Sequence, residues 1–472
     1  MRRLGRGVWI GLAVLFLSGA ARPTDRPPTL LIAGVPHIRQ EPDFCGEACV
    51  AMYLRKLGHA VDQRAVFDRT GLDPRLGRGA YTAELKRAVD AFGFRSGPVW
   101  FEVSPAHADA ELQRLVDAMV ADIARGVPSI VCMHYDRSPD APEHFRLVLG
   151  VDRATNELIY HEPAQNGGAY KRMPLARFVE LWPLKYRRDR WTVIRIALDP
   201  GQIEVRRPVD PLSTVTLGAH AQHVMKTKAK IPDGYATRIV GPFLVIGDES
   251  PARVEHYAHT VEWTVEHLKS DFHMREPPHV IDIWLLGSRQ SYFDNAVRLF
   301  GMPPRTPYGY FVPQHQALIM NITTGGGTLV HEVVHPFVAA SFPAAPAWFN
   351  EGLASLYEAV REENGQLWGL PNWRLAGLKR AIRADDLPSF ETMTSDSDAR
   401  FYTSSTGYAE ARYLCLYLQE KGLLHRFYDR FSAGAAADPT GYKTLVQVLG
   451  SPNMARFEAQ WRAWTLALED RN

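Results

Sequence analysis

The first part of the chain alternates between helical and strand-like patterns of apolar residues. Apolar positions recur at helical spacing and predict helices over 46–57, 82–92 and 109–125. Short runs rich in β-branched residues predict strands over 129–133, 145–151, 157–160 and 191–196. A cluster of proline, glycine and aspartate then interrupts the pattern. We therefore predict a linker at 199–215 between domains at 30–198 and 216–472.

The second part begins with strands and continues as helices. Its pattern predicts strands over 243–246 and 280–286, a helix over 251–272, and a hairpin over 308–313 and 317–322. Three glycines at 325–327 lead into a helix for which Thr328 is the predicted N-cap, and another helix is predicted over 347–360. The remainder is mostly helical. The whole pattern indicates an α+β protein of two domains.

Composition places the chain among ordinary globular proteins. Of its 472 residues, 46% are hydrophobic and 22% are charged, which shows no bias toward disorder or a coiled coil. The formal net charge of +2 indicates no nucleic-acid partner. Four cysteines are too few for a disulfide scaffold in a chain of this length, although one or two pairs remain open.

The N-terminus has the pattern of a signal peptide. Arg2, Arg3 and Arg6 precede an apolar run at 8–17, which is followed by small residues. The run is too short to cross a bilayer comfortably, and no later stretch approaches membrane-spanning length. We expect a signal peptide at 1–21 and an exported protein, periplasmic or secreted, with no stable membrane span after cleavage. The oligomeric state stays open.

The strongest chemical signal is the segment His-Glu-Val-Val-His at 331–335. Residues four apart share one face of a helix, so His331 and His335 can offer two imidazoles to one metal ion. Glu351 follows in a second predicted helix and would complete a zinc ligand set that leaves one position open. Glu332 would then serve as the base that activates water. Pro336 predicts a kink just past the second histidine.

This half resembles the gluzincin zinc metallopeptidases, through His-Glu-Val-Val-His at 331–335 and Trp-Phe-Asn-Glu-Gly-Leu-Ala at 348–354. The resemblance implies a mixed sheet, a zinc helix and a mostly helical C-terminal part, with one zinc ion bound by His331, His335 and Glu351. It also implies that Tyr408 donates to the oxyanion, with Tyr402 as the reserve candidate. A gluzincin would use the hairpin strand 308–313 or 317–322 to pair with an extended substrate.

Three departures from the aminopeptidase members of that group stand out. The gap between His335 and Glu351 is shorter. Ser355 stands where some gluzincins place an aspartate that orients a ligand histidine, so that contact is unassigned. The glycine-containing exopeptidase motif is absent from the sequence, which favours an endopeptidase.

A second set of candidate residues lies in the first half. Cys45 begins a predicted helix, and a helix N-terminus favours a thiolate. His144 would be its imidazole partner, Glu162 would orient that imidazole, and Gln40 would donate to an oxyanion. His161, next to Glu162, is a competing histidine.

These residues resemble the papain-like double-glycine cysteine peptidases, which trim bacteriocin leaders. The resemblance covers 33–198 and implies a papain-like α+β domain with Cys45, His144 and Glu162 as the triad and Gln40 in the oxyanion hole. Glu162 stands where aspartate is usual in that family. Cys49 and Cys132 are expected to be core residues. Pairing of Cys45 with Cys49 would silence the thiol site.

The sequence therefore supports three functional hypotheses. The first is an exported peptidase with a zinc site and a thiol site, acting on a peptide or protein substrate. In the second, only the zinc site cleaves, and the first domain binds peptides. In the third, the protein is a non-catalytic exported binding or assembly protein. A thiol-directed probe and metal analysis distinguish them.

Overall fold

The computed structural model describes residues 28–205, 214–304 and 306–469. The predicted signal peptide at 1–21 and positions 206–213 of the predicted linker lie outside these residues. Within the described ranges, no helix has the length and apolar character needed to cross a membrane. All four cysteines are free thiols, so no disulfide pairs Cys45 with Cys49.

An antiparallel sheet of seven strands organises the first half. Its order is β2-β7-β3-β4-β5-β6, and β1 pairs with the far part of β4. The strands are β1 Thr29–Leu31, β2 Trp100–Val103, β3 Ser129–His134, β4 Glu143–Asp152, β5 Glu157–His161, β6 Lys171–Pro174 and β7 Trp191–Ala197. The helices are α1 Cys45–Lys56, α2 Gln63–Phe67, α3 Thr82–Ala91, α4 Ala108–Ala124 and α5 Leu175–Leu181.

The apolar stripe of α1 explains the packing of this half. Residues 48–54 of α1 are buried, and they form one core with α3, α4 and the sheet. The predicted helices and strands of this half are confirmed, with ends that differ from the predictions by one or two residues. Burial of an apolar helix face supplies most of the stability of such an element.

The second half contains a mixed sheet of five strands in the order β11-β12-β10-β9-β8. Strands β9, β10 and β12 are parallel, whereas the two edge strands run antiparallel to their neighbours. The strands are β8 Ala236–Val240, β9 Phe243–Gly247, β10 Ile281–Leu286, β11 Gly309–Val312 and β12 Ala317–Asn321; β13 Val360–Glu363 and β14 Gln366–Gly369 form a separate hairpin.

Helices surround the five-stranded sheet and make up most of the C-terminal part. They are α6 Leu217–Thr227, α7 Pro251–Phe272, α8 Arg289–Phe300, α9 Gly326–Ser341, α10 Ala347–Leu356, α11 Arg374–Arg383, α12 Phe390–Ser395, α13 Asp398–Thr403, α14 Gly407–Glu420, α15 Leu424–Gly434, α16 Tyr442–Leu449 and α17 Met454–Ala467. One core joins the sheet to α7, α9, α10 and α14, and a smaller core lies under α8 on the other face. The α+β fold class is confirmed.

Two local predictions in this half are wrong. Helix α9 begins at Gly326, before Thr328, and Gly325 at its N-cap has φ +104, which glycine adopts at little cost. Helix α10 ends at Leu356 because Val360 pairs with Gly369 in the β13–β14 hairpin. Helix α9 continues through Pro336 to Ser341, and the kink expected there stays a prediction.

The two halves contact each other through α6 and the loop before α1. Gln222 Nε2 donates to the carbonyl of Pro42 at 2.8 Å. Phe44, Phe67 and Ala221 belong to one small buried cluster that spans the contact. The segment that carries Cys45 is therefore held from both halves.

Candidate active sites

Helices α9 and α10 bring the three predicted metal ligands together. His331 and His335 share a face of α9, and Glu351 reaches them from α10. One ligand atom of each residue lies within 4.8 Å of the others, and His331 and Glu351 are buried. The distance from Glu351 Oε2 is 3.2 Å to His331 Nε2 and 3.9 Å to His335 Nε2. The spacing predicted from the sequence thus places two imidazoles and a carboxylate around one point.

The electrostatics of this cluster suit a cation. Glu351 Oε2 is buried and has no hydrogen-bond partner among the described residues, although it faces both imidazoles. Burial alone would lower the pKa of His331, but the carboxylates of Glu351 and Glu358 outweigh burial and raise this pKa to about 10. The position therefore favours positive charge. Two histidines and one carboxylate are a ligand set that zinc accepts, so the residues present fit a zinc ion.

Each ligand histidine has a second partner on its other ring nitrogen. His331 Nδ1 lies 3.2 Å from Glu358 Oε1, which is an ion-pair distance without hydrogen-bond geometry. His335 Nδ1 lies 3.0 Å from Asn350 Oδ1. Such partners fix the orientation of a ligand imidazole and make it a better donor to metal. The sequence reasoning identified neither residue. Glu358 lies seven residues after Glu351 and beyond the end of α10 at Leu356, so no helical spacing connected it with the ligands.

Ser355 takes no part in orienting the histidines. Its hydroxyl donates to the carbonyl of Glu351 at 2.6 Å, within α10. Glu358 occupies that role from beyond the end of the helix, and two other residues hold it there. Arg374 Nη2 lies 2.6 Å from Glu358 Oε1, and Asn372 Nδ2 donates to Oε2 at 2.9 Å. Burial opposes ionisation of Glu358, but His331 and Arg374 outweigh it and lower the pKa to about 2.

A cleft of about 830 Å³ opens over the ligand cluster. Glu332, Tyr402 and Tyr408 line it together with the ligands. The Tyr402 hydroxyl donates to Glu351 Oε1 at 3.2 Å. Tyr408 packs on Phe401 with ring centroids 5.4 Å apart. Both tyrosines thus face the cleft. Tyr402, the reserve candidate for the oxyanion donor, is the one that contacts the Glu351 carboxylate.

Strand β11 forms one wall of the cleft. Tyr308, Gly309, Tyr310 and Phe311 line the cleft opposite α9. Because β11 is at the edge of the five-stranded sheet, whereas β12 is paired on both sides, only the first hairpin strand is available for pairing. Exposed aromatic side chains stand around the opening: Tyr308 is 48% exposed and Trp373 is 67% exposed.

In the first half, the predicted histidine and carboxylate are in direct contact. His144 Nε2 lies 2.5 Å from Glu162 Oε1, and both side chains are buried. The contact leaves Nδ1 as the nitrogen available to a thiol. Burial raises the pKa of Glu162, but hydrogen bonding and charge from His144 and then the charge of Arg146 outweigh it, so the net shift is downward.

Arg146 is a member of this site that sequence reasoning missed. Its Nε donates to Glu162 Oε2 at 2.7 Å, and its Nη2 donates to the carbonyl of Tyr135 at 3.0 Å. Residues two apart on a strand share a face, so its spacing from His144 was a signal. His161 is excluded from the triad. Its Nδ1 accepts from the backbone of Tyr170, and its Nε2 lies 3.0 Å from the carbonyl of Val35.

Cys45 lies at the start of α1, beside the backbone of Phe145. Its environment opposes ionisation of the thiol. Burial raises the pKa of the thiol to about 12, and the carboxylates of Glu47 and Asp43 add to the effect. Gln40 lies before it with Oε1 buried and unpartnered among the described residues.

Comparison with known proteins supports the interpretation of the first half. Residues 32–189 match the Peptidase_C39 like family. The crystal structure of the peptidase domain of Streptococcus ComA, a bifunctional ABC transporter involved in a quorum-sensing pathway, is similar at 16% identity. The similarity covers 35% of this chain and 99% of that domain, with a TM-score of 0.24. No curated protein matches this sequence. The family match indicates a C39-like domain at residues 32–189, which supports a peptidase.

Proposed function

We propose that this protein is an exported peptidase that hydrolyses peptide bonds at a zinc site formed by His331, His335 and Glu351. The observation that carries the proposal is the convergence of three ligand atoms within 4.8 Å at the floor of the cleft. The C39-like domain in the same chain supports peptide or protein as the substrate class. Export rests on the signal-peptide pattern of the sequence.

The residues around the cleft supply the chemistry of hydrolysis. A bound zinc ion would polarise the substrate carbonyl and make water more acidic. Glu332, one residue after the first ligand, accepts a proton from the attacking water and returns it to the departing amide nitrogen. Tyr402 and Tyr408 are the hydroxyl donors in the cleft for the oxyanion that forms.

The test combines metal analysis with peptide hydrolysis by the full chain. Purified protein is expected to bind one zinc per chain and to hydrolyse peptides from a mixed library. Glu332→Gln keeps the size of the side chain and removes the base, so the rate should fall by about 10²- to 10⁴-fold while zinc stays bound. Absence of stoichiometric zinc after loading, or unchanged hydrolysis in Glu332→Gln, would refute the proposal.

A second candidate activity is thiol-dependent peptide hydrolysis in the first half. The 2.5 Å contact between His144 and Glu162, inside the C39-like domain, favours it. Cys45 would attack an amide carbonyl to give a thioester, with His144 taking the thiol proton and giving it to the leaving amine. Gln40 would donate to the oxyanion.

Covalent labelling separates this activity from a peptide-binding role. In the reduced protein, a thiol-directed probe should label Cys45, and His144→Ala should abolish the labelling. Cys45→Ala measures the share of hydrolysis that depends on the thiol. Without labelling, and with hydrolysis unchanged in Cys45→Ala, the first domain binds peptides for the zinc site. Loss of both activities would leave a non-catalytic exported binding protein.

A further inference from the structure

A second cavity adjoins the proposed zinc cleft. It has a volume of about 770 Å³ and lies between the C-terminal part of α9 and the far end of β11. Phe311, Pro313 and Ala339 line both cavities, so the two spaces share one wall. We call this second cavity the apolar chamber. Met274 and Ala340 contribute to its lining away from the metal ligands.

The charged side chains around the apolar chamber are already paired. Lys269 Nζ lies 2.7 Å from Glu276 Oε1. Arg275 Nη2 donates to the carbonyl of Ala340 at 2.7 Å. The rest of the lining is dominated by proline, alanine, methionine, isoleucine and phenylalanine. A cavity of this size and character takes apolar groups, since a charged group would lose its hydration without a new partner.

The backbone of β11 determines how a chain would reach the chamber. The amide of Asn321 donates to the carbonyl of Tyr308, which makes this a hydrogen-bonded pair of the β11–β12 ladder. Pairs alternate along an antiparallel ladder, so Gly309 and Phe311 direct their backbone groups toward the free edge. A peptide that pairs with Gly309 and Phe311 extends from the ligand cluster toward Pro313 and the chamber.

We propose that the apolar chamber is an extended subsite that binds one large apolar side chain of the substrate, a few residues from the scissile bond. The inference rests on the proposed zinc-dependent hydrolysis. It narrows the substrate class to extended polypeptides with an apolar or aromatic residue at that position. In a strand added to β11, alternate side chains point to the same face of the sheet. Phe311 lines both cavities, so substrate side chains on the same face as Phe311 point toward them.

The experiment profiles a position-scanning peptide library with the zinc-loaded full chain. The native protein should select a large apolar residue at one position on one side of the cleavage site. Ala340→Phe fills the chamber without touching the zinc cleft, and it should reduce kcat/KM for the selected peptide by at least about tenfold. Ala340→Ser is the matched control and should keep the selection. A short peptide that lacks the distal residue should be cleaved equally by all three proteins.

The outcomes distinguish the subsite from the zinc mechanism. If the native protein cleaves peptides without any distal apolar preference, or if Ala340→Phe keeps the preference, the chamber is not a subsite. If native protein and Glu332→Gln are equally active or equally inactive, the proposed function itself fails. Zinc stoichiometry and circular dichroism of Ala340→Phe show that a lost preference does not come from a lost fold.

Discussion

The two candidate sites use histidine in opposite electrostatic settings. In the first half, one carboxylate, Glu162, is shared between His144 and Arg146. In the second half, His331 lies between two carboxylates, Glu351 and Glu358. His144 thus contacts a carboxylate, Glu162, whose charge Arg146 already balances. His331 belongs to a cluster with excess negative charge.

This difference indicates what each site can accept. Excess carboxylate raises the pKa of His331 to about 10, so that position favours a positive charge. Around Cys45, burial and neighbouring carboxylates raise the thiol pKa to about 12, so that position resists negative charge. A metal ion would have to displace the proton from His331, because a ligand imidazole binds metal in its neutral form. The thiol site needs His144 or a substrate to assist ionisation.

Removing Arg146, which balances the charge of Glu162, should produce the largest predicted effect on stability. Arg146→Met removes the guanidinium and leaves Glu162 buried with His144 as its remaining side-chain partner. Loss of one member of a buried ion pair typically costs about 3–5 kcal/mol. Urea unfolding of the full chain, followed by a probe in the first half, measures the change.

An exposed pair provides the control for this prediction. Arg137 and Glu180 lie 2.5 Å apart on the surface, so Arg137→Met should leave the unfolding free energy unchanged. Equal stability of Arg146→Met and the native protein would show that Glu162 is not held in the ionised form, and the contrast between the sites would disappear.

Removing the excess charge from the second site should weaken its metal binding. Glu358→Gln keeps the side-chain size but takes the carboxylate from His331 Nδ1. Loss of such an outer partner typically lowers metal affinity by about 10- to 100-fold. Competition with a chromophoric chelator measures the zinc Kd directly. Glu363→Gln changes an exposed carboxylate paired with Arg361 and should leave the Kd as in the native protein. An unchanged Kd in Glu358→Gln would contradict the positioning role.

The raised pKa of Cys45 predicts slow and strongly pH-dependent alkylation. The shift from 9.0 to about 12 makes the thiolate scarce at neutral pH. A thiolate of higher pKa is a stronger nucleophile, which offsets part of this scarcity. Alkylation at pH 7 should still be about 30-fold slower than for a free cysteine. The rate should rise with each pH unit up to pH 10 and reach no plateau. Mass spectrometry with Cys45→Ala as the reference locates the label. A plateau below pH 7 would instead reveal a preformed thiolate–imidazolium pair.

The candidate metal ligands were predictable because their signals are local. The spacing of His331 and His335 needs one regular helix, and that helix formed as predicted. Glu351 also required α10 to pack closely beside α14. Gly352 permits this, since a Cβ there would lie 3.0 Å from the Ala411 carbonyl. The order of the sheet strands, which left β11 alone at the edge, depends on the tertiary fold and was not predictable from the hairpin alone.

The residues whose setting or role the sequence did not reveal have different physical causes. A helix N-terminus lowers a thiol pKa, but the burial of Cys45 and the nearby Asp43 and Glu47 reverse the direction. Glu358 was missed because α10 ends before it, so helical spacing did not clearly connect it with the ligands. Arg146 shares a strand face with His144, and alternation along β4 was sufficient to predict it.

The smallest predicted effect tests whether the two sites are physically coupled. Gln222, on α6 of the second half, donates to the Pro42 carbonyl, three residues before Cys45. Gln222→Ala removes one partly buried hydrogen bond, worth about 1 kcal/mol. If alkylation of Cys45 requires this loop to open, the free energy of opening falls by the same amount. Alkylation should then be about fivefold faster. Gln113→Ala, which removes an exposed hydrogen bond to Asp117, should change neither the free energy of loop opening nor the alkylation rate. Unaltered alkylation in Gln222→Ala would mean that the loop is fixed by the first half alone, and the two sites would then act independently.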